Sequence, residues 1–287
     1  MYSEVTGSAL RAGSDRRSWH KMAARVCVTG AGASGSLVAS ELAKQGHSVR
    51  LLDMGRGAGG RSATRITREG FVFDHGASFL KAHSGLSDET HSTLASLQQR
   101  GTLAPWNGRF GYIDSRNGFL QPHDPAFDDT TARECDFFSI ASNDGGVPLV
   151  GVPKSSSIME TLASDHHNIH HQQARVTRLD WQPHSKTWSI CGPTNSPKEG
   201  STSDTDEFLG EFDVLVLSDP MPLLPGFPGA TAAATDDSHV LTPFRNQFDK
   251  LQRSAVFTLM LAFDKNSGMQ EVRKHNMRLN TLMDACA

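Results

Sequence analysis

Three glycines near the start of the chain have the spacing of a phosphate-binding turn. Gly30, Gly32 and Gly35 form a G-x-G-x-x-G element, and Ser34 precedes the last of them. In such an element the first glycine allows a tight turn, the second lets the backbone approach a pyrophosphate, and the third lets a helix pack closely on a strand. The N–H groups at the helix start then face the phosphates. The chemistry indicated is the binding of a dinucleotide.

An acidic residue follows at the position that such a site requires. Asp53 lies 18 residues after Gly35. A carboxylate at the end of the second strand can accept hydrogen bonds from both ribose hydroxyls, and it disfavours a 2′-phosphate.

A second group of glycines follows this acid directly. Four of the six positions from Gly55 to Gly60 are glycine, and Arg56 and Arg61 flank the Gly59-Gly60 pair. A flexible surface loop would have a similar composition. Guanidinium groups beside exposed backbone amides instead favour a second phosphate-contacting surface.

The elements that must position these residues can be read from the apolar pattern. Arg25 to Thr29 predicts a short buried strand, Ser36 to Gln45 has apolar residues at helical spacing, and His47 to Asp53 predicts a second strand. Strand, glycine turn, helix, strand and acid follow in the order of a βαβ dinucleotide-binding unit. The fold predicted from this pattern is α/β, with a Rossmann-type dinucleotide-binding unit.

Several motifs together resemble the flavin-dependent amine-oxidase-like oxidoreductases, and within them the renalase-like group. The resemblance covers about residues 24 to 263 and is strongest at the start. It rests on the first glycine motif, Asp53 and the following motifs: R-G-A-G-G-R-S-A-T from Arg56 to Thr64, F-D-H-G-A from Phe73 to Ala77, V-G-V-P-K-S-S-S-I from Val150 to Ile158, A-R-V from Ala174 to Val176, and the strand-like run from Phe212 to Pro220.

The resemblance implies FAD as the cofactor and a hydride transfer as the reaction. The donor would be a small reduced molecule, either an amine or a reduced nicotinamide-like compound, and oxygen would accept the electrons. No catalytic residue is assigned. The FAD contacts that the resemblance implies are Gly30, Gly32, Ser34 and Gly35 at the pyrophosphate, Asp53 at the ribose, Arg56, Gly59, Gly60 and Arg61 at the second phosphate surface, Ala77 near the flavin and Val176 at the adenine end.

The same resemblance implies an α/β fold in which a mixed α+β substrate domain is inserted into a Rossmann-type FAD/NAD(P)-binding domain. We expect residues 24–82 and 150–220 to form the FAD-binding domain, and residues 83–149 and 221–264 to form the substrate domain. A flexible extension at residues 1–23 and a polar tail at 265–287 would flank them. Two hairpin strands are expected near Arg175 to Asp180 and Thr187 to Cys191, followed by a long loop from Pro193 to Gly210.

Two departures from the family pattern leave alternatives open. Ser78 stands before Phe79 where the family commonly has Gln or Pro, and the chain has no Gly-Asp dipeptide and no glycine after Gly268. The family's closing strand and helix are therefore expected to be missing, so that a non-catalytic member unable to hold flavin is the first alternative. A nicotinamide-dependent dehydrogenase is the second, although it would not need the arginine and glycine loop.

The remaining polar clusters predict no further chemistry. His166, His167, His170 and His171 are expected in a solvated turn or helix end rather than a metal site, because no third ligand has suitable spacing. His75 is expected to have a structural role in its turn. Trp106, Phe110 and Tyr112 are expected in a substrate-domain strand.

Composition excludes several classes of protein. The net charge of -3 argues against a nucleic-acid partner. The most apolar run, Ser254 to Phe263, is too short to cross a bilayer, which needs roughly 20 residues. The four cysteines show no disulfide or zinc spacing. We expect a soluble protein that is cytoplasmic or organellar, with a weakly supported transit peptide, and not secreted.

Overall fold

The computed structural model describes residues 23–82, 85–107, 111–113, 120–122, 146–194, 207–219, 250 and 258–262. The expected extension before residue 23, the polar tail at 265–287, Phe110 and most of the segment 221–264 lie outside the described residues. Within them the strands and helices are, in order, β1 (Arg25–Thr29), α1 (Ala33–Lys44), β2 (Ser48–Asp53), a 3-10 turn (Gly60–Ser62), β3 (Thr64–Ile66), β4 (Val72–Asp74), β5 (Leu80–Ala82), α2 (Asp88–Gln99), β6 (Leu103–Pro105), β7 (Gly111–Ile113), β8 (Leu120–Pro122), β9 (Val147–Gly151), α3 (Ser157–Ala163), β10 (Ile169–Gln173), β11 (Arg178–Gln182), β12 (Thr187–Gly192), β13 (Glu207–Phe212) and β14 (Val214–Leu217).

A parallel sheet holds the predicted βαβ unit. Its strand order is β10-β2-β1-β14, and every neighbouring pair is parallel. The predicted strand, helix and strand are confirmed within three residues at each boundary. The returning strand expected near Phe212 to Pro220 is β14, which lies beside β1 with Val26 opposite Val214. The fold is α/β with a Rossmann-like parallel sheet.

The side chains of this sheet alternate between two hydrophobic cores. Val26 and Val28 point toward α1, α2 and α3, whereas Cys27 points to the opposite face. On that face the antiparallel sheet β11-β12-β13 covers the parallel sheet through Leu179, Ile190 and other apolar residues. Burial raises the pKa of the Cys27 thiol to about 12, so the thiol stays protonated and packs as an apolar side chain. The helices, the parallel sheet and the antiparallel sheet therefore form three layers.

The hairpin prediction is confirmed, but the loop predicted after it is partly wrong. Strands β11 and β12 pair as expected, whereas β13 occupies the end of the segment from Pro193 to Gly210 that was expected to be a loop. Leu209 and Phe212 are buried against the core between the sheets. Two apolar side chains at the edge of a polar sequence are enough to add a strand, because the partner strand β12 supplies the hydrogen bonds.

The histidine-rich segment also differs in part from its prediction. His166 and His167 lie in a turn as expected, but His170 and His171 belong to β10, which pairs with β2 along its whole length. Both strand histidines are exposed. The expectation of a turn or helix end is therefore wrong for His170 and His171, and a polar strand forms here because it lies at an edge of the described sheet.

Smaller strand groups join the segments on either side of the expected domain boundary. Strands β3 and β4 form a hairpin, and β9 lies between β5 and β6. Strand β9 includes residues on both sides of the expected boundary between 149 and 150. The division into two domains stays a prediction. No helix in the part of the chain described here is long and apolar enough to span a membrane.

The core between the two sheets generates a stability prediction. Ile190 is 0% exposed, whereas Phe208 in the neighbouring strand is 64% exposed. We expect Ile190→Ala to lower the free energy of unfolding by about 2–5 kcal/mol, because it leaves a cavity. Phe208→Ala should change it by about 0.5 kcal/mol or less. Urea unfolding monitored by circular dichroism measures both, and equal losses would contradict the layered core.

Candidate functional site

The first glycine turn connects the ends of three strands. Gly30 has a φ of +89°, a left-handed conformation that favours glycine. Its N–H donates to the Leu52 carbonyl at 2.7 Å, and a Cβ on it would lie 2.9 Å from Ser218 Oγ. The Ser218 hydroxyl in turn donates to the carbonyl oxygens of Thr29 and Gly30. The turn after β1 is therefore held by Leu52, near the end of β2, and by Ser218, which follows β14.

The third glycine of the motif sets how closely α1 approaches this turn. A Cβ on Gly35 would lie 1.8 Å from the Gly30 carbonyl oxygen, which no side chain can tolerate. Gly32, the N-cap residue of α1, is less restricted, because its Cβ would be 3.7 Å from the nearest atom. Sequence reasoning assigned the close packing to the third glycine, and the structure agrees.

The N-terminus of α1 carries no side-chain cap. The N-cap residue, Gly32, has no side chain that could accept a hydrogen bond from the first turn. The first turn also contains no acidic residue. Ala33 and Ser34 are exposed. The first amides of a helix have no partner within the helix. Those of α1 therefore present donors and the positive end of the helix dipole at an exposed surface.

The second glycine loop lies directly against the first. Gly59 donates its N–H to the Ala31 carbonyl at 2.8 Å. Gly60 has a φ of +54°, and a Cβ on it would lie 2.9 Å from the Gly32 Cα. Two loops that are separated in sequence thus form one continuous backbone surface. Arg56 and Arg61 lie in this loop, and both are exposed.

Asp53 contacts both loops through its side chain. Its Oδ2 accepts the Ala31 N–H at 2.6 Å and its Oδ1 accepts the Gly55 N–H at 2.6 Å. Its backbone carbonyl accepts the Ala174 N–H at 2.8 Å. Sequence reasoning placed Asp53 at the ribose and missed these bonds to the backbone. The Asp53-Met54-Gly55 order, in which an acid precedes a glycine by two positions, is typical of a turn closed by the aspartate side chain.

The turn from Phe73 to Ala77 packs on the end of the second loop. Ala77 donates its N–H to the Arg61 carbonyl at 2.9 Å, and a Cβ on Gly76 would lie 1.9 Å from that same oxygen. The neighbouring Asp74 accepts hydrogen bonds from the Thr64 hydroxyl at 2.5 Å and from the Ser155 N–H at 3.0 Å. The resemblance places Ala77 near the flavin, and that placement stays a prediction.

Val176 lies in the segment that follows β10. It is half-buried and packs against the core between the two sheets. Its neighbour Thr177 donates a backbone hydrogen bond to the Cys191 carbonyl at 3.0 Å. Gln173 pairs with Asp53, and both are the last residues of their parallel strands. The segment therefore starts at the same end of the strands as the two glycine loops.

The structure also shows the surroundings of the other sequence candidates. His75 is exposed, and its Nδ1 lies 3.5 Å from the Phe73 carbonyl. Trp106 packs against Phe79 with ring centroids 5.8 Å apart. Tyr112 belongs to β7, whereas Trp106 follows β6 and lies outside any strand, so the expectation of one strand for both residues is wrong. Among the residues that the structure describes, no three His, Cys, Asp or Glu side chains could hold a metal ion.

Comparisons with known proteins place the glycine loops within a recognised domain type. Residues 28–93 match the family model of an NAD(P)-binding Rossmann-like domain. No curated protein matches the chain.

A search of solved structures finds similarity to three proteins. A CLA-producing fatty acid isomerase from P. acnes has 14% identity and a TM-score of 0.46, and the match covers 69% of this chain and 59% of that one. A putrescine oxidase variant with redesigned cofactor binding has 14% identity and a TM-score of 0.44, with 69% and 58% covered. A p-nitrophenol 4-monooxygenase from Pseudomonas putida DLL-E4 has 17% identity and a TM-score of 0.40, with 69% and 41% covered. This chain thus spans less than two thirds of each.

The contact between α1 and the first turn generates a second stability prediction. We expect Gly35→Ala to lower the free energy of unfolding by about 2 kcal/mol or more, because the new methyl group meets a backbone oxygen that cannot move away freely. Gly57→Ala is the matched control, since a Cβ there has no atom within 4 Å. It should change stability by about 0.5 kcal/mol or less. Denaturant unfolding measures the stability of both variants. If Gly35→Ala and Gly57→Ala are equally stable, the helix does not pack as described.

Proposed function

We propose that this chain binds FAD and belongs to an oxidoreductase of the amine-oxidase-like type that resembles the renalase-like group. The observation that carries the proposal is the contact between the two glycine loops. Gly59 bonds to Ala31 and Gly60 touches Gly32, so the uncapped start of α1 and the arginine-bearing loop share one surface.

The residues present fit a dinucleotide with two phosphates. Helix amides favour one anionic group at the start of α1, and arginine side chains favour phosphate oxygens because their donors form a rigid fork. Asp53 keeps acceptor capacity for ribose hydroxyls, because each carboxylate oxygen has a second lone pair. The match of residues 28–93 to a dinucleotide-binding domain model supports the same class of ligand.

Each part of the chain would have a separate task in holding FAD. Gly30, Gly32, Ser34 and Gly35 would hold the pyrophosphate, with Arg56, Gly59, Gly60 and Arg61 on its other side. Asp53 would bind the ribose, Val176 would lie at the adenine end, and Ala77 would lie near the flavin. When bound, FAD supplies a ring that takes a hydride from a small reduced donor and passes electrons to oxygen. The protein supplies orientation and a surface that displaces water from the phosphates.

Two other functions stay open, and each has its own signature. A nicotinamide-dependent dehydrogenase would use the same first loop, and the family model is described by that class of ligand. The arginine loop favours FAD, because a nicotinamide site does not need a second phosphate-contacting loop there. A non-catalytic member would keep the fold and bind no flavin.

Flavin binding can be tested without disturbing the fold. Gly32→Ala places a methyl group on the proposed phosphate surface, where its Cβ meets only ordinary contacts with the protein. We expect the purified chain to show the visible absorption bands of bound FAD, and Gly32→Ala to weaken FAD binding about tenfold or more. Gly57→Ala should bind FAD as the unchanged chain does.

Three outcomes separate the candidate functions. Binding of FAD that Gly32→Ala weakens supports the proposal. Binding of NADH but not of FAD would favour the dehydrogenase. A folded chain that takes up neither would favour the non-catalytic member.

The donor can be tested on the flavin-loaded chain. We expect either NADH or a simple primary amine, added without air, to bleach the visible flavin bands, and we expect air to restore them. The bleaching reports transfer of a hydride to the flavin, and the recovery reports transfer of electrons to oxygen. If the visible flavin bands persist after every donor is added, the proposed oxidoreductase activity is contradicted, whereas the proposal of FAD binding is not affected.

A further inference from the structure

One carboxylate lies between the two glycine loops. The two oxygens of Asp53 accept one backbone N–H from each loop, Ala31 on one side and Gly55 on the other, both at 2.6 Å. The side chain is half-buried, so water competes less with these bonds than at an open surface.

The position of this carboxylate is set by the sheet and not by the loops. Asp53 is the last residue of β2, and it pairs with Gln173 of β10. Its carbonyl accepts the Ala174 N–H at 2.8 Å, at the start of the segment that leads to Val176. A residue fixed by the sheet can therefore determine where both loops lie relative to each other.

Only a carboxylate satisfies this arrangement. An ionised aspartate has two oxygens that accept, whereas an asparagine has one oxygen that accepts and one NH₂ group that donates. In Asp53→Asn one of the two backbone N–H groups would therefore face another donor. The unpaired amide would be left without its bond or would move toward water.

We propose that Asp53 is a positioning residue that sets the spacing of the two phosphate-contacting loops through the backbone amides of Ala31 and Gly55. This role rests on the proposed dinucleotide site, but it exists before any ligand binds. A ribose contact alone would act only when the ligand is present. The two roles therefore differ in what a substitution does to the ligand-free chain.

Hydrogen exchange of the ligand-free chain is the first test. We expect Asp53→Asn to speed exchange about tenfold in at least one of the two segments that contain Ala31 and Gly55, because one of the two side-chain bonds that protect these amides is lost. Asp213→Asn is the matched control. Asp213 also accepts a backbone N–H, from Arg25 at 2.8 Å, but at the opposite end of β1. It should speed exchange near Arg25 and leave both glycine loops unchanged.

Nucleotide binding is the second test, with ADP and 2′-deoxy-ADP as probes. If Asp53 positions the loops as well as contacting the ribose, Asp53→Asn should weaken 2′-deoxy-ADP binding about tenfold and ADP binding by at least as much. If Asp53 acts only on the ribose, ADP binding should fall while 2′-deoxy-ADP binding changes little, and exchange in the ligand-free chain should not change. The second pattern would overturn the proposal.

A further pair of variants covers the case in which Asp53→Asn does not fold. The side chains introduced by Asp53→Glu and Asp53→Gln have the same length, but only the glutamate keeps two acceptor oxygens. We expect stronger exchange protection of both loops in Asp53→Glu than in Asp53→Gln, and equal protection would contradict the proposal. If the unchanged chain binds neither FAD nor ADP, the proposed function fails, whereas the exchange measurements still decide the role of Asp53.

Discussion

The close approach of α1 to the end of β1 is the constraint on which the rest of the site depends. Where the helix passes the first turn, a Cβ on Gly35 would lie 1.8 Å from the Gly30 carbonyl oxygen. Only a residue without a side chain permits this distance. The approach directs the first amides of α1 outward and brings the second glycine loop into contact with Gly32. Moving the helix outward would therefore disturb both loops at once.

The packing on the two faces of the parallel sheet keeps α1 in this position. Ala39 and Ala43 are buried on the helix side, and their small side chains allow the helix to lie close to the sheet. The antiparallel sheet covers the other face through Ile190 and Leu209. The loops that hold the proposed cofactor are thus supported by three layers, although they lie at the exposed edge. Binding residues on loops above a rigid scaffold are the common arrangement in proteins.

The sequence was sufficient to predict the βαβ unit and its glycines, because local signals agree there. Apolar strands, a glycine turn, helical spacing and a terminal acid all indicate one structure. The sequence did not predict β10 and β13, since their polar residues become strands only through pairing with β2 and β12. It also did not reveal that Asp53 bonds to Ala31, which is 22 residues away. Such contacts depend on tertiary structure, which a single sequence read locally does not contain.

The central claim is that the start of α1 and the arginine loop form one phosphate-binding surface. A crystal structure of the chain with FAD tests it most directly. We predict pyrophosphate oxygens within hydrogen-bonding distance of first-turn amides at Ser34 or Gly35, and also of the segment from Gly59 to Arg61. FAD bound elsewhere, or with its pyrophosphate in contact with only one of these two loops, would contradict the account.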